Sequence, residues 1–395
     1  MRHVLLPHVS HIPSSAPNAL YGAEDVLDTM LAMCTQNQFV ATCVRMMARH
    51  GAPTMTGQRL LQLLGAQPPD DALEASLNAL ESTALIVKES GRLGGPVKVG
   101  VDEILLERYD EKKPEHKGGK RKNGTNRFEG YITMQVVSHR DPVTVAGYPI
   151  ANGESQTHYL GGLIENALRL GVDIEVALLD RGFNSVDNIL EMESLGVSYV
   201  MPLRKSDRLS EIIREVDAGE SSPVREYTMT NDAGRQSTST LVVCPKKDPR
   251  KNAVVTDRYV AFITNIKVDN PRNLLSYIPK TYRKRWGIET GYRVLKQVRA
   301  KTKSPMIAAR LLLMFFSLAY VNFWLLYRRM LISGDDAGSG GSADDRLLGP
   351  TLDVHQGPRQ TPVTQALPAG PRDARAVSAC LLRDLAPSLA WRQII

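Results

Sequence analysis

The sequence predicts a mixed α/β protein: a mixed sheet flanked by helices, preceded by a small all-helical domain. Three observations carry this. Apolar residues recur at helical spacing up to about Glu89, in VLDTMLAM, FVATCVRMMARH, TGQRLLQLLG and DALEASLNALES. Beyond the Gly94-Gly95-Pro96 punctuation, β-branched runs take over in PVKVGVDEILLERY, YITMQVVSHR and TVAGYPIA. Helices and short strands then alternate: HYLGGLIENALRLG, EVALLD, SVDNILEMESLG and SYVMPLR.

The remaining segments follow in order. Residues 1–19 read as an irregular leader, 20–95 as the helical domain and 96–333 as the α/β domain. Residues 224–268 revert to strand signals, with REYTMT, a turn at Asn231-Asp232-Ala233-Gly234, STSTLVVCP and RYVAFITN, and so form a β-rich insertion. A long helix is expected from Ile278, followed by an apolar helix to Tyr327. Residues 334–395 are Gly- and Pro-rich, expected to be a flexible tail with a short helix near 376–391.

The bulk composition, 43% hydrophobic and 23% charged, is that of an ordinary globular chain. A net charge of +7 fits a polyanionic partner or plain solubility. Cys34, Cys43, Cys244 and Cys380 show no paired spacing, which argues against a zinc site or a disulfide framework and for a reducing cytoplasm. The start, MRHVLLPHVSHIPSSAP, has no continuous apolar core of a secretory signal. LLLMFFSLAYVNFWLLY, 311–327, is slightly short for a membrane span and holds Ser317 and Asn322, so it reads as a core helix, with a span as the competing reading.

The charge is concentrated. Residues 280–303 hold nine Lys/Arg and one acid, Glu289. Lys112–Arg127 holds seven against Glu115, and its glycines and Asn123 mark a mobile loop suited to phosphate contact, with Lys120, Arg121 and Lys122 at its centre. Tyr282, Arg285, Glu289 and Lys296 stand at offsets of 0, +3, +7 and +14, within an arc of about 60° on a regular helix, and Lys303 at +21 continues the stripe. A phenol, a guanidinium, an ammonium and a carboxylate on one face can bind phosphates and a cation together. Gly287 and Gly291 lie opposite and suit close packing on the sheet.

Two further carboxylates fit that chemistry. Asp180 ends the apolar strand EVALLD, at the sheet edge where α/β folds bind ligands, although aspartate is also a common turn residue. Asp102 lies inside an apolar strand, where a carboxylate is costly unless it is paired or binds a metal. Glu103 and Asp110 compete with it. His116, His139 and His158 are too scattered for a metal cluster and suit surface or turn roles; Trp286 suits either base stacking or packing.

Tyr282-x2-Arg285-x3-Glu289-x6-Lys296 resembles the Tyr-Arg-Glu-Lys signature of DDE insertion-sequence transposases. Asp180-Arg181-Gly182-Phe183 resembles that family's second-aspartate motif, and Asp102 the first more loosely. The resemblance covers about residues 96–330 and implies an RNase H-like catalytic core, with a β-rich insertion in the 109-residue step from Asp180 to Glu289. It implies Mg²⁺, or Mn²⁺ in its place, on Asp102, Asp180 and Glu289. Tyr282, Arg285, Arg181, Lys296 and Lys303, with the Lys120–Lys122 stretch, are expected to contact double-stranded DNA at transposon ends and target. The family reading further implies a homodimer in the synaptic complex, no membrane, a nucleoid-associated cytoplasmic location, and terminal-repeat recognition by the N-terminal helices through Arg45, Arg49 and Arg59. The rivals are another RNase H-like nuclease or resolvase, and an inactive DNA-binding derivative.

Overall fold

The computed structural model describes residues 1–12, 20–52, 54–138 and 141–336. His139, Cys380 and the expected helix at 376–391 lie outside the described residues. Helices α1 (Arg2–Leu5), α2 (Ala23–Gln36), α3 (Val40–Arg49), α4 (Gly57–Gly65) and α5 (Pro69–Glu89) come first. The capping chemistry is local. Thr56 Oγ accepts from the Arg59 N–H to start α4, and α5 opens on Pro69 with Asp70 and Asp71 in its first turn. Part of the segment expected to be irregular is folded: α1 is helical, and Leu5 and Val9 are fully buried in the main core.

The sheet begins with β1 (Val97–Arg108), β2 (Lys117–Lys122), β3 (Thr125–Val136) and β4 (Val143–Ile150). Here the reading of Lys112–Arg127 as a loop is corrected, since most of it is a hairpin arm. Asn123 and Gly124 take φ of 49° and 89°, the left-handed pair that a two-residue hairpin turn requires. Then come α6 (Leu160–Arg169), β5 (Ile174–Leu178), α7 (Val186–Ser194), β6 (Tyr199–Pro202) and α8 (Asp207–Ala218). Ser185 and Ser206 cap α7 and α8, and α8 adds a helix to those expected from the sequence.

The last strands are β7 (Val224–Thr230), β8 (Gln236–Pro245) and β9 (Tyr259–Thr264), followed by α9 (Leu274–Tyr282), α10 (Trp286–Val298) and α11 (Ile307–Asp336). The nine strands of the described residues form one sheet, in which β1 runs antiparallel to β3 and parallel to β5. The central order β4-β3-β1-β5-β6, with only β3 reversed relative to its neighbours, is the RNase H-like arrangement. The β-rich segment joins this sheet through β9 beside β6.

Two apolar clusters cover the sheet's faces. On one, Val97, Val99 and Val101 of β1 join a core that includes α5, α6, α11 and the N-terminal helices. On the other, Val176 and Leu178 of β5 meet Ile278 of α9 and Ile288 of α10. α11 contains a stretch, Ile307–Arg328, long and apolar enough to cross a membrane, and 94% of its most apolar window is buried within the protein.

Candidate active site

Side-chain alternation sets the site. In β5, Val176 and Leu178 point toward α9 and α10, and Asp180 continues that spacing just past the strand end. In β1, Gly100 meets Ile288 of α10, so Asp102 emerges on the same face. β1 and β5 are adjacent and parallel, with Gly100 opposite Leu178, so the two aspartates converge. Glu103 points to the other face and pairs with Lys117 at 2.5 Å, and Asp110 is held by both Arg108 bonds at 3.0 and 2.8 Å. Of the three candidates for the first acid, only Asp102 faces Asp180.

The helix approaches closely because glycines face the sheet. A Cβ on Gly287 would sit 3.0 Å from Val137 Cβ, and one on Gly291 would overlap the Gln135 amide. The chain is not one uninterrupted α-helix, as expected from Ile278: Arg283–Arg285 tighten into a 3₁₀ turn between α9 and α10. That turn aims Arg285 inward. Its Nη2 donates to Asp102 Oδ2 at 3.2 Å and lies 3.6 Å from Asp180 Oδ2. One guanidinium thus bridges both aspartates, and its buried Nε has no hydrogen-bond partner.

The electrostatics follow from this packing. Burial raises the Asp102 pKa above 3.8, opposed by Arg285 and the Glu103 N–H and reinforced by the charges of Asp180 and Glu289. Asp180 also accepts from the Gly182 N–H, capping the Arg181–Phe183 turn. Tyr282 packs on Phe262 with ring centroids 5.1 Å apart, and burial pushes its phenol up to about 12, with Arg285, Asp180 and Asp102 nearby. Tyr292, which sequence reasoning passed over, donates to the Asp102 carbonyl at 2.8 Å and meets Thr133 Oγ1 at 2.9 Å, fixing β1 under α10. Its four-residue spacing from Ile288 was the available signal.

The other expected residues are less closely gathered. Glu289 is exposed on α10, near enough to act on Asp102 by charge. Among the described residues, no three acidic, imidazole or thiol side chains stand close enough to hold one ion, and the Arg285 guanidinium contacts both aspartates. Lys296, Arg181, Lys120, Arg121 and Lys122 are exposed, and Lys122 pairs with Glu107 at 3.3 Å. Lys303 leaves the expected stripe: α10 ends at Val298, and the Lys303 ammonium lies 5.7 Å over the Phe39 ring. Trp286 is 65% exposed, so it does not pack under the helix. His116 takes the expected turn role, its N–H donating to the Lys113 carbonyl at 3.0 Å, but it is buried beside Asp110 rather than at the surface.

The model of the transposase DDE domain matches residues 81–321. The chain belongs to the DDE transposase family. Its members use divalent metal ions. Among solved structures, a cryo-EM piggyBac transposase synaptic complex with hairpin DNA aligns over 98% of this transposase chain and 80% of its own, with 13% identity and a TM-score of 0.49. No curated protein matches the chain.

Proposed function

We propose that this DDE transposase is encoded by an insertion sequence, recognises the element's terminal inverted repeats, and cuts and joins double-stranded DNA at Asp102, Asp180 and Glu289. The supporting observation is the convergence of Asp102 and Asp180 on one positive charge, at 3.2 and 3.6 Å. The guanidinium marks a place where both carboxylates are balanced by a single cation, and an all-carboxylate donor set suits hard ions such as Mg²⁺ or Mn²⁺. Asp102 and Asp180 would hold such ions from the sheet and Glu289 from the helix. When bound, paired divalent ions activate the attacking oxygen and neutralise the leaving one.

The chain's own groups supply the rest. Arg285, once free of the aspartates, presents its fork of donors to a phosphate, and Lys296 adds an exposed point charge. The Tyr282 phenol stays protonated at neutral pH and so remains a donor. Two ends brought to one site imply a homodimer in the synaptic complex. Recognition of the ends is assigned to exposed Arg45, Arg49 and Arg59 of the N-terminal helices. Because those helices share the main core, the test uses the full chain: R45Q/R49Q/R59Q should weaken binding to end-bearing duplex more than to arbitrary duplex.

Cleavage of a labelled duplex carrying the element's ends tests the catalytic assignment. D102N, D180N and E289Q should each lose metal-dependent cleavage by about 10²–10³-fold while still binding DNA. A second reading, a DNA-binding derivative without catalysis, is favoured by the exposed Glu289. It predicts no cleavage by the unaltered chain. Joining of a 3′-hydroxyl end to target DNA separates a transposase from a simple RNase H-like nuclease.

A further inference from the structure

Where α10 ends, the chain turns out and borders a cavity of about 390 Å³ between the end of β1 and α11. Its floor is apolar, with Leu106, Tyr131 and Met314, and Arg299, Lys301 and Lys303 line it from the turn. The turn is held in place. The Lys301 N–H donates to the Gln38 carbonyl at 3.2 Å, and the Ala300 N–H donates to Ser317 Oγ at 3.0 Å. The cavity is therefore preformed, and its size falls within the range of about 300–1,000 Å³ typical of ligand sites.

Its charge is unbalanced. Three carboxylates, Asp110, Glu129 and Glu107, also line it, but each is engaged by another cation. Asp110 takes both Arg108 bonds, Glu129 accepts from Arg310 at 2.9 Å, and Glu107 pairs with Lys122 at 3.3 Å. Among the described residues, no carboxylate pairs with Arg299, Lys301 or Lys303. Arg299 Nη1 is fully buried without a hydrogen-bond partner. A buried charged donor in that state is costly, and an entering anion would satisfy it.

We propose that this cavity receives a backbone phosphate of bound DNA on Arg299, Lys301 and Lys303, with the apolar floor beneath its sugar. The proposal rests on the DNA-binding reading above and extends it to a second point on the duplex. From Glu289 to Arg299 is ten residues, about 15 Å along α10, or about four nucleotides of a duplex strand. Exposed Lys296 lies between the two points.

The test is the salt dependence of full-chain binding to a labelled duplex of arbitrary sequence, which requires no catalysis. The cavity takes one phosphate, and each phosphate neutralised on binding contributes about 0.9 to the slope of log affinity against log salt, so R299Q/K301Q/K303Q should lower that slope by about 0.9. Because Arg299 is half-buried, K301Q/K303Q serves as the second variant, which should also lower the slope, by up to about 0.9, with an unchanged melting temperature. An unchanged slope in K301Q/K303Q would overturn the proposal, and so would an equal decrease from K246Q/K247Q outside the cavity. Inorganic phosphate is the second probe. If it raises the melting temperature of the unaltered chain but not of K301Q/K303Q, while the DNA slopes agree, the cavity takes free phosphate and the proposal fails. E289Q in the same titration keeps the two readings apart: it should retain the full slope whatever its cleavage activity.

Discussion

Arg285 holds together two carboxylates that would otherwise repel each other, at a site only partly open to water. Arg285→Gln should therefore cost about 1–3 kcal/mol, less than the 3–5 of a fully buried broken pair. Mn²⁺ should restore more stability to the variant than it adds to the unaltered chain; melting curves with Mn²⁺ and with EDTA check this, and an ion-independent loss would contradict it. Asp102 gives a pH prediction. Between 3.8 and its raised folded value, the folded state holds more protons than the unfolded one, so stability falls as pH rises through that window. In EDTA, Asp102→Asn should flatten that slope and raise stability at neutral pH, read from urea midpoints between pH 4 and 7. As candidates, Asp102 inside an apolar strand and Asp180 at the end of one were legible in the sequence. The choice among Asp102, Glu103 and Asp110 was not, because it depends on Lys117 and Arg108 as partners.

At the level of elements, the packing of α10 on β3 depends on residues without side chains. Gly291→Val would drive a branched side chain into Gln135, at a cost of about 1–3 kcal/mol, and would lift Glu289 away from the aspartates. Urea unfolding and end cleavage should both fall; full activity would show that the close approach is dispensable. Helical spacing made α10 legible, but the 3₁₀ turn before it was not, since periodicity averages over such a turn. Pro279 inside α9 removes a backbone donor, and Cys244 Sγ–H meets the Leu275 carbonyl at 3.8 Å. The β2–β3 hairpin was hidden by Gly118, Gly119 and the lysines around them, which carry no alternation, although Asn123-Gly124 was a usable turn signal.

Across the whole molecule, α11 ties the N-terminal helices to the sheet. Asn322 is buried: its Oδ1 accepts from the Thr144 N–H at 3.0 Å, and its Nδ2 donates to the Thr144 carbonyl at 2.8 Å and to Thr83 at 3.2 Å. Thr144 borders the irregularity in the β3–β4 ladder, so the side chain supplies bonds that strand pairing leaves unmade. Asn322→Leu should cost about 2–4 kcal/mol by stranding two buried backbone groups, measured by urea denaturation. A loss below about 0.5 kcal/mol would mean that the linkage carries little stability. The Gly94-Gly95-Pro96 break suggested separate domains, yet Arg92 beside it is buried and donates to the Leu325 carbonyl at 2.9 Å. A hydrogen bond spanning 233 residues leaves no local trace in composition or spacing.

The most direct test of the central claim is Mn²⁺ binding to the full chain, followed by electron paramagnetic resonance. The unaltered protein should bind Mn²⁺, D102N and D180N should lose that binding, and E289Q should weaken it. Equal binding by D180N and the unaltered chain would contradict the assignment of these carboxylates as the metal-dependent centre.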